Sequence, residues 1–166
     1  MIAAADSDVS IRRLEPEDAR ALGELFERNA TPTVAAHFHP FPLTFATARA
    51  LATERTKDLY YVAFVGSDLA GFMMLRGWEE GYEVPSFGVL LDYAAQGRGL
   101  GKLLTVAALG EARSHGARGV RATVYASNAA SLAMLLGSGF VEVSREPVDR
   151  PQGMDERILV TADLAQ

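Results

Sequence analysis

The spacing of apolar residues divides the first third of the chain into short elements. Residues 9–14 alternate weakly between apolar and polar, which predicts a first strand, placed by its position at an edge of the sheet. Pro16 suits the first turn of a helix, and residues 44–56 predict a second one. Between the helices, residues 30–42 are rich in proline, aromatic residues and histidine and predict a loop. The buried stripe of the first helix is predicted to be Leu22, Leu25 and Phe26.

The middle of the chain has the pattern of three strands. Residues 58–65 and 69–78 are apolar enough for a central place in a sheet, and Gly-Ser-Asp at residues 66–68 predicts a hairpin turn between them. Residues 83–91 predict the next strand. Pro85 within that strand has no N–H group to donate, so we expect a bulge or an unpaired position there.

The rest of the chain alternates helices and strands. Its order, antiparallel early and strand, helix, strand later, predicts a mixed sheet. No internal repeat or linker divides the chain, so we expect a single domain over residues 1–166. The predicted elements are a helix at 99–114, a strand at 119–125, a helix at 128–138, a strand at 140–145, a loop at 146–153 and a last strand at about 156–162.

The junction before the long helix is rich in glycine, with residues 96–102 reading Gln-Gly-Arg-Gly-Leu-Gly-Lys. Glycine lets the backbone approach an anion closely, and the first turn of a helix adds partial positive charge. Arg98 and Lys102 add formal charge, so the junction predicts a phosphate-binding loop. It is not a P-loop, because Lys102 is followed by leucine, and residues 112–141 lack the acidic residue of a dinucleotide fingerprint.

Two motifs resemble those of one family. Gln96, Gly99 and Gly101 give the pattern Gln-x-x-Gly-x-Gly, which resembles the acetyl-CoA pyrophosphate loop of the GNAT acyltransferase family. Further on, a predicted strand ends near Asn128, a helix follows, and Gly-Phe at residues 139–140 closes it, which looks like the family's other signature. The resemblance implies an α/β (α+β) fold with a mixed, mostly antiparallel sheet of six to seven strands and about four flanking helices.

The same resemblance implies how acetyl-CoA is held. One strand would pair with the pantetheine arm as if the arm were an added strand, an asparagine would contact that arm, and the glycine loop would bind the diphosphate. An N–H group at about Leu91 would polarise the thioester carbonyl. The implied cofactor-binding residues are Val89, Leu90, Leu91, Gln96, Gly97, Arg98, Gly99, Leu100, Gly101, Lys102 and Asn128.

Of the two catalytic side chains that the resemblance implies, this chain has a candidate for the base but lacks the tyrosine proton donor. A carboxylate helps deprotonate an alkylammonium, whose pKa is near 10, and the family's usual position for it implies Glu83 as the base. The family's tyrosine proton donor corresponds to Leu135, which cannot donate. Water can protonate the departing thiolate, since a thiol has a pKa of about 8.5. Side chains that could substitute for the tyrosine are Tyr125, Ser127 and Ser131.

The loop between the first two helices often forms one wall of the acceptor pocket in the family. His37 and His39 in this loop are two residues apart, but without cysteines or a third ligand they predict no metal site. Arg76 and Arg145 are candidates to meet an acidic group on the acceptor. The candidate acceptor-binding residues are His37, Phe38, Trp78 and Glu80, with Phe41 beside them.

Composition narrows the remaining choices. The 166 residues suit one hydrophobic core, and no apolar run approaches the roughly 18 residues of a membrane span. The absence of cysteine excludes disulfides and an acyl-cysteine relay. A net charge of −5 argues against nucleic-acid binding. Residues 1–5 are apolar but short and lack a basic start, so we expect no signal peptide and a cytoplasmic location.

These observations favour an acetyl-CoA-dependent N-acetyltransferase that acts on the primary amine of a small molecule by direct attack in a ternary complex. Two alternatives stay open. Leu135 allows an acyl-CoA-binding or regulatory module with little catalysis, and an open groove beside the thioester would instead fit a protein N-terminus or lysine as acceptor. The resemblance also implies that a homodimer is possible.

Overall fold

A single sheet forms the centre of the molecule. The computed structural model describes residues 2–3 and 8–165, and the strand order in the sheet is β1-β2-β3-β4-β5-β6-β8-β7. Among the strands of the described residues, only the β5–β6 pair is parallel. The mixed, mostly antiparallel sheet confirms the expected fold class, with seven strands of five residues or more. The strands are β1 Ile2–Ala3, β2 Val9–Arg13, β3 Leu59–Val65, β4 Asp68–Arg76, β5 Ser86–Leu91, β6 Gly119–Tyr125, β7 Val141–Arg150 and β8 Gly153–Asp163.

Five α-helices flank the sheet in the described part of the chain, and one of them is a single turn. Three of the described helices start with a side-chain cap: Thr31 accepts a hydrogen bond from the N–H of Val34 at 3.3 Å, Thr44 accepts one from Thr47 at 3.1 Å, and Asn128 accepts one from Ser131 at 3.4 Å. The helices are α1 Ala19–Arg28, α2 Pro32–Ala35, α3 Phe45–Thr53, α4 Leu100–Ser114 and α5 Ala129–Gly137.

The helices pack in two layers, one on each face of the sheet. On one face α1 and α3 pack against β3, β4 and β5, and the predicted stripe Leu22, Leu25 and Phe26 is fully buried there. On the other face α4 and α5 pack against a larger area that includes β6 and β8. Because the buried residues of β6 and β8 all belong to the α4 and α5 layer, the opposite faces of these two strands carry no helix within the described residues.

The first half of the chain departs from the sequence prediction in three places. The strand predicted at residues 9–14 is not at the edge, because Ile2 and Ala3 pair with Ile11 and Ser10. The loop predicted at residues 30–42 contains α2, which begins at Pro32 after the capping residue Thr31. The helix predicted at residues 44–56 ends at Thr53.

The second half departs at two places. No bulge forms at Pro85, because β5 begins one residue later and the Pro85 carbonyl accepts a hydrogen bond from the N–H of Arg121 at 3.0 Å. The loop predicted at residues 146–153 is mostly strand, since β7 continues to Arg150 and a two-residue turn leads into β8. Pro147 lies in β7, which is the edge of the sheet, where a missing N–H group costs least.

No helix in the described residues is long and apolar enough to cross a membrane. Residues 1 and 4–7, on which most of the signal-peptide expectation depends, lie outside the described residues.

The core packing between α4 and the sheet gives a first prediction. Leu104 is fully buried and lies against Gly71 of β4, so Leu104→Ala should leave a cavity and lower the free energy of unfolding by about 2–5 kcal/mol. Val106 lies on the same helix and is 53% exposed, so Val106→Ala should change stability by less than about 0.5 kcal/mol. Urea unfolding of both variants measures the difference, and equal losses would contradict this packing.

Candidate active site

The two parallel strands at the centre of the sheet are joined at one end only. β5 and β6 pair at Ser86 and Arg121, with a backbone hydrogen bond from Arg121 to Pro85, and no further residue of β5 is in register with β6. By contrast, β5 is paired with β4 along its whole length, from Ser86 to Leu91. The sheet therefore opens into a gap between β5 and β6 that begins just beyond Ser86.

Alternate residues of β5 direct their backbone groups into this gap. The N–H of Asp92 donates to the Ala70 carbonyl of β4 at 2.8 Å. This bond shows which residues of β5 are hydrogen-bonded to β4. In an antiparallel ladder the bonded positions alternate, so Leu90 directs its N–H and C=O groups toward β4, whereas Val89 and Leu91 direct theirs toward β6. The edge that faces the gap thus presents the backbone of Val89 and Leu91, and not that of Leu90.

The opposite side of the gap shows the same alternation. The N–H of Ala126 donates to the Glu156 carbonyl of β8 at 2.9 Å, so the even-numbered residues of β6 bond to β8. Thr123 consequently directs its N–H and C=O groups toward β5, and Tyr125 its N–H group, whereas the Tyr125 carbonyl accepts a hydrogen bond from the N–H of Asn128 at 2.9 Å. Apart from that carbonyl, the backbone groups of the two strand edges face each other across the gap without strand partners.

The glycine-rich junction lies at the end of β5 where the gap is open. Gly97 and Gly99 have φ of +74° and +81°, and a side chain at either position would meet no atom within 4 Å. Such φ values favour glycine because a Cβ would crowd the backbone. Within the described residues no side chain caps α4 at Gly99, so the first N–H groups of the helix have no hydrogen-bond partner.

The flanking residues divide into exposed and buried ones. Gln96, Arg98 and Lys102 are exposed, whereas Leu100 and Gly101 are buried. A Cβ on Gly101 would lie 2.7 Å from the sulfur of Met134 in α5, so glycine here allows the two helices to approach closely. Within the described residues neither Arg98 nor Lys102 forms an ion pair. The loop therefore presents backbone N–H groups and two cations at one mouth of the gap.

A polar cluster surrounds Tyr125 on the face of β6 that no helix covers. The Arg150 guanidinium lies 3.5 Å from the centre of the Tyr125 ring, donates to Asp155 at 3.0 Å and also donates to the Ala36 carbonyl. His37 lies beside the same ring, with 6.4 Å between ring centres. These two hydrogen bonds of Arg150 connect the loop before α3 to the β7–β8 hairpin. The side chains of Arg150 and Asp155 are almost fully buried.

Two groups in this cluster have shifted pKa values. The pKa of Asp155 is lowered to about 2, first because the Ser127 hydroxyl donates to it at 2.5 Å and further because of backbone N–H groups and Arg150. Ser127 is thereby engaged by Asp155. The pKa of His37 is lowered, mainly by burial and then by the charge of Arg150. His37 is therefore neutral at pH 7.

The expected catalytic residues lie in different surroundings. Glu83 is exposed and precedes β5, at the end where β5 and β6 are joined. Tyr125 and Asn128 lie at the open end of the gap, and Ser131 lies in the first turn of α5 with its N–H bonded to Asn128. Leu135 is 3% exposed and belongs to the core, so this position contributes packing.

The residues expected to bind the acceptor do not all converge. His37 is in the Tyr125 cluster, and Phe38 packs edge-on against Phe41 at 5.5 Å. Trp78 is elsewhere, since its ring lies 6.3 Å from His115 at the far end of α4. Glu80 is exposed in the turn after β4, near that same end of the sheet. Trp78 packs with the α4 and α5 layer, whereas Phe38 and Phe41 pack with the α1 and α3 layer, so these candidates do not form one group.

Arg150 and Asp155 were not candidates in the sequence prediction. Arg150 falls in the segment predicted as a loop, and Asp155 lies between that segment and the last predicted strand. The hairpin that joins them follows from pairing of β7 with β8, where Asp149 is opposite Met154 and Arg150 is opposite Gly153. No group of three or more histidine, cysteine or acidic side chains is arranged to hold a metal ion within the described residues.

Comparisons with known proteins agree with this geometry. A family model described as an Acetyltransferase (GNAT) domain matches residues 8–141. The chain therefore belongs to the GNAT acetyltransferase family, and it is an acyl-CoA-dependent acetyltransferase. No curated protein sequence gives a significant match.

Several solved structures share the fold at low sequence identity. The ribosomal alpha-N-protein acetyltransferase RimL, in complex with coenzyme A, has a TM-score of 0.83 at 16% identity, with 99% of both chains covered. The putative acetyltransferase yncA from Salmonella typhimurium, with acetyl-CoA, has a TM-score of 0.78 at 22% identity over 95% of both chains. A spermidine N-acetyltransferase chimera from Vibrio cholerae and hSSAT has a TM-score of 0.74 at 19% identity, covering 95% of this chain and 96% of that one.

The carboxylate of Asp155 gives a prediction about stability and pH. Its pKa is about 2 in the folded chain and about 3.9 when unfolded, so its stabilising effect is complete above pH 4 and is lost as the pH falls toward 2. Asp155→Asn should lower the free energy of unfolding at pH 7. The variant should then lose less of its remaining stability than the unaltered chain as the pH falls from 4 to 2. Chemical unfolding at a series of pH values measures this effect.

The matched control for this prediction is Asp149→Asn, an exposed carboxylate on the same hairpin. It should leave both the stability at pH 7 and the acid dependence nearly unchanged. If the Asp155 and Asp149 variants behaved alike, the buried contacts of Asp155 would not stabilise the fold.

Proposed function

We propose that this enzyme transfers an acetyl group from acetyl-CoA to the primary amine of a small molecule, by direct attack within a ternary complex. The observation that carries the proposal is the gap between β5 and β6, which has unpaired backbone edges and opens beside the uncapped start of α4. An extended, amide-containing arm attached to a diphosphate is complementary to this arrangement.

The start of α4 is the proposed site of the diphosphate. The N–H groups of Leu100, Gly101 and Lys102 have no partner within the helix, and Gly97 and Gly99 leave the approach to them open. The helix end contributes about 0.3–1 kcal/mol per neighbouring charge. Most of the affinity must therefore come from direct hydrogen bonds and from the side chains of Gln96, Arg98 and Lys102.

The gap is the proposed site of the pantetheine arm. The arm would accept and donate hydrogen bonds as an added strand along β5, with Val89 and Leu91 as its partners. Leu90 would contribute through the packing that holds β5 in place, since its backbone is directed toward β4 and its side chain is buried. Asn128 uses its side-chain oxygen as the cap of α5, which leaves its NH₂ group as a donor to an amide of the arm.

The chemical step needs a donor for the thioester oxygen. A backbone N–H of Val89 or Leu91 is suited to this role, because negative charge develops on the carbonyl oxygen as the amine attacks. The C–S bond then breaks and the thiolate leaves. With Leu135 in the core, protonation of the sulfur falls to water, or to the hydroxyl of Tyr125 or Ser131 near the open end of the gap.

A small acceptor is favoured because the loop before α3 is tied down on both sides. Arg150 bonds to the Ala36 carbonyl, and the Arg76 guanidinium lies 5.4 Å from the centre of the Phe41 ring. A loop held in this way closes one side of the region beside Tyr125. RimL, by its name, acts on a ribosomal protein, so the fold itself is compatible with larger acceptors.

A substitution in the glycine loop tests the proposed cofactor site. Gly99→Glu places a carboxylate where the diphosphate would lie, and it should weaken acetyl-CoA binding by about 100-fold or more, equivalent to about 2.7 kcal/mol. Isothermal titration calorimetry with acetyl-CoA measures the affinity.

Gly116→Glu is the matched control for Gly99→Glu. Gly116 has the same φ of +81° and the same open surroundings, but it lies just after the C-terminal end of α4. Its replacement introduces the same backbone strain and charge at the wrong end of the helix, and it should leave the affinity within about two-fold. Equal weakening in both variants would count against the site.

The reaction itself is tested by release of free thiol from acetyl-CoA in the presence of a panel of small amines and short peptides. Turnover with a small amine supports the proposal. Binding of acetyl-CoA without turnover on any acceptor would favour a binding module, and turnover on peptides alone would favour a protein acceptor.

A further inference from the structure

The segment from Ala36 to His39 is held over the end of β6 by one buried arginine. Arg150 joins three parts of the molecule at once: it donates to the Ala36 carbonyl in the loop, pairs with Asp155 on β8 and stacks on Tyr125 at the end of β6. The side chain of Arg150 is only 6% exposed. The loop residues next to Ala36 are therefore fixed relative to the open end of the gap.

His37 lies within this fixed segment and has an unusual hydrogen-bonding state. Its Nδ1 is buried and has no hydrogen-bond partner, which no other buried side-chain nitrogen or oxygen shares within the described residues. Nε2 of His37 also has no hydrogen bond within the described residues, but it is not among the fully buried atoms, so it is accessible to solvent. An unpaired buried polar atom costs about 1–3 kcal/mol. Packing alone does not explain a histidine at this position.

Burial and the net effect of the charges around His37 lower its pKa and favour the neutral form. Burial has the largest effect, Arg150 on β7 also disfavours the imidazolium, Asp155 on β8 favours it, and His39 in the same loop disfavours it most weakly. Asp155 is already engaged by Ser127, by the N–H of Glu156 and by Arg150, and Tyr125 on β6 presents its ring. A neutral imidazole at the site has a lone pair that can take a proton.

The other candidate for this role lies in a less suitable place. Glu83 is exposed, precedes β5 and lies at the end where β5 and β6 are paired. Tyr125, in contact with His37, is the last residue of β6, and its backbone faces the gap where it is open. An acceptor amine that reaches the thioester from the face without a helix passes His37 and not Glu83.

We propose that His37, rather than Glu83, accepts the proton that the acceptor amine loses during acetyl transfer. The inference rests on the proposed function. The amine nitrogen forms a bond to the thioester carbonyl carbon, the C–S bond breaks, and its electron pair leaves with the sulfur. The amine proton passes to Nε2 of His37 and then to solvent, and the thiolate takes a proton from solvent.

The test uses the full chain and an amine that the unaltered enzyme acetylates. His37→Gln should lower kcat/KM by about 100-fold or more and should remove the acidic limb of the pH profile, because general-base catalysis typically contributes about 10²–10⁴-fold. Acetyl-CoA affinity should stay within about two-fold. Added imidazole should restore part of the activity of His37→Ala, which a purely structural defect would not allow.

Two matched variants complete the experiment. His39→Gln alters the exposed neighbour, whose ring centre lies 5.8 Å from that of Tyr125 and whose Nε2 lies 3.1 Å from the Ala36 carbonyl; glutamine can keep that hydrogen bond but cannot act as a base. Glu83→Gln removes the alternative base. Both variants should keep kcat/KM within about three-fold and keep the acidic limb. The proposal is overturned if His37→Gln retains the activity and pH profile of the unaltered enzyme, or if Glu83→Gln shows the loss instead. If the unaltered enzyme acetylates no amine at all, the proposed function fails, and the role of His37 fails with it.

Discussion

The separation of β5 from β6 is the constraint on which the rest of the site depends. Two parallel strands that pair at Ser86 and Arg121 and then diverge leave backbone donors and acceptors without partners. Elsewhere in the sheet these groups are satisfied by the neighbouring strand, so the gap is the one place between long strands of the described sheet where an extended ligand can complete the ladder. The proposed binding of the pantetheine arm in the gap therefore depends on how β5 and β6 pair.

Different elements lie on the two sides of the open end of the gap. On the β5 side, Gly97 and Gly99 adopt positive φ values and leave the first turn of α4 uncovered, while Gly101 brings α5 close. On the β6 side, Arg150 holds the loop that carries His37 beside Tyr125. The larger of the two hydrophobic clusters holds both sides in place, because α4, α5, β5 and β6 all contribute to it.

The sequence predicted what depends on local chemistry. The glycine-rich junction was predicted from local chemistry, because glycines before a helix specify a turn that leaves the helix start open. Asn128 was found through the resemblance to the family's second motif. The sequence could not predict that the N–H and C=O groups of Leu90 point toward β4, since this follows from the register between β5 and β4. Strands at 140–145 and 156–162 were predicted, but the continuation of β7 to Arg150 was missed, because its polar composition and Pro147 are typical of a loop. Arg150 was therefore missed with it. Trp78 was grouped with Phe38 and His37 by residue type, whereas its place beside His115 follows from tertiary packing.

The most direct test is residue-resolved amide hydrogen exchange by NMR, with and without saturating coenzyme A. If the arm pairs with β5, exchange at Val89 and Leu91 should slow by about ten-fold or more on binding, because their N–H groups gain partners. Exchange at Leu90 should not change, since its N–H already bonds to β4. Binding of coenzyme A with unaltered exchange at both Val89 and Leu91 would contradict the account.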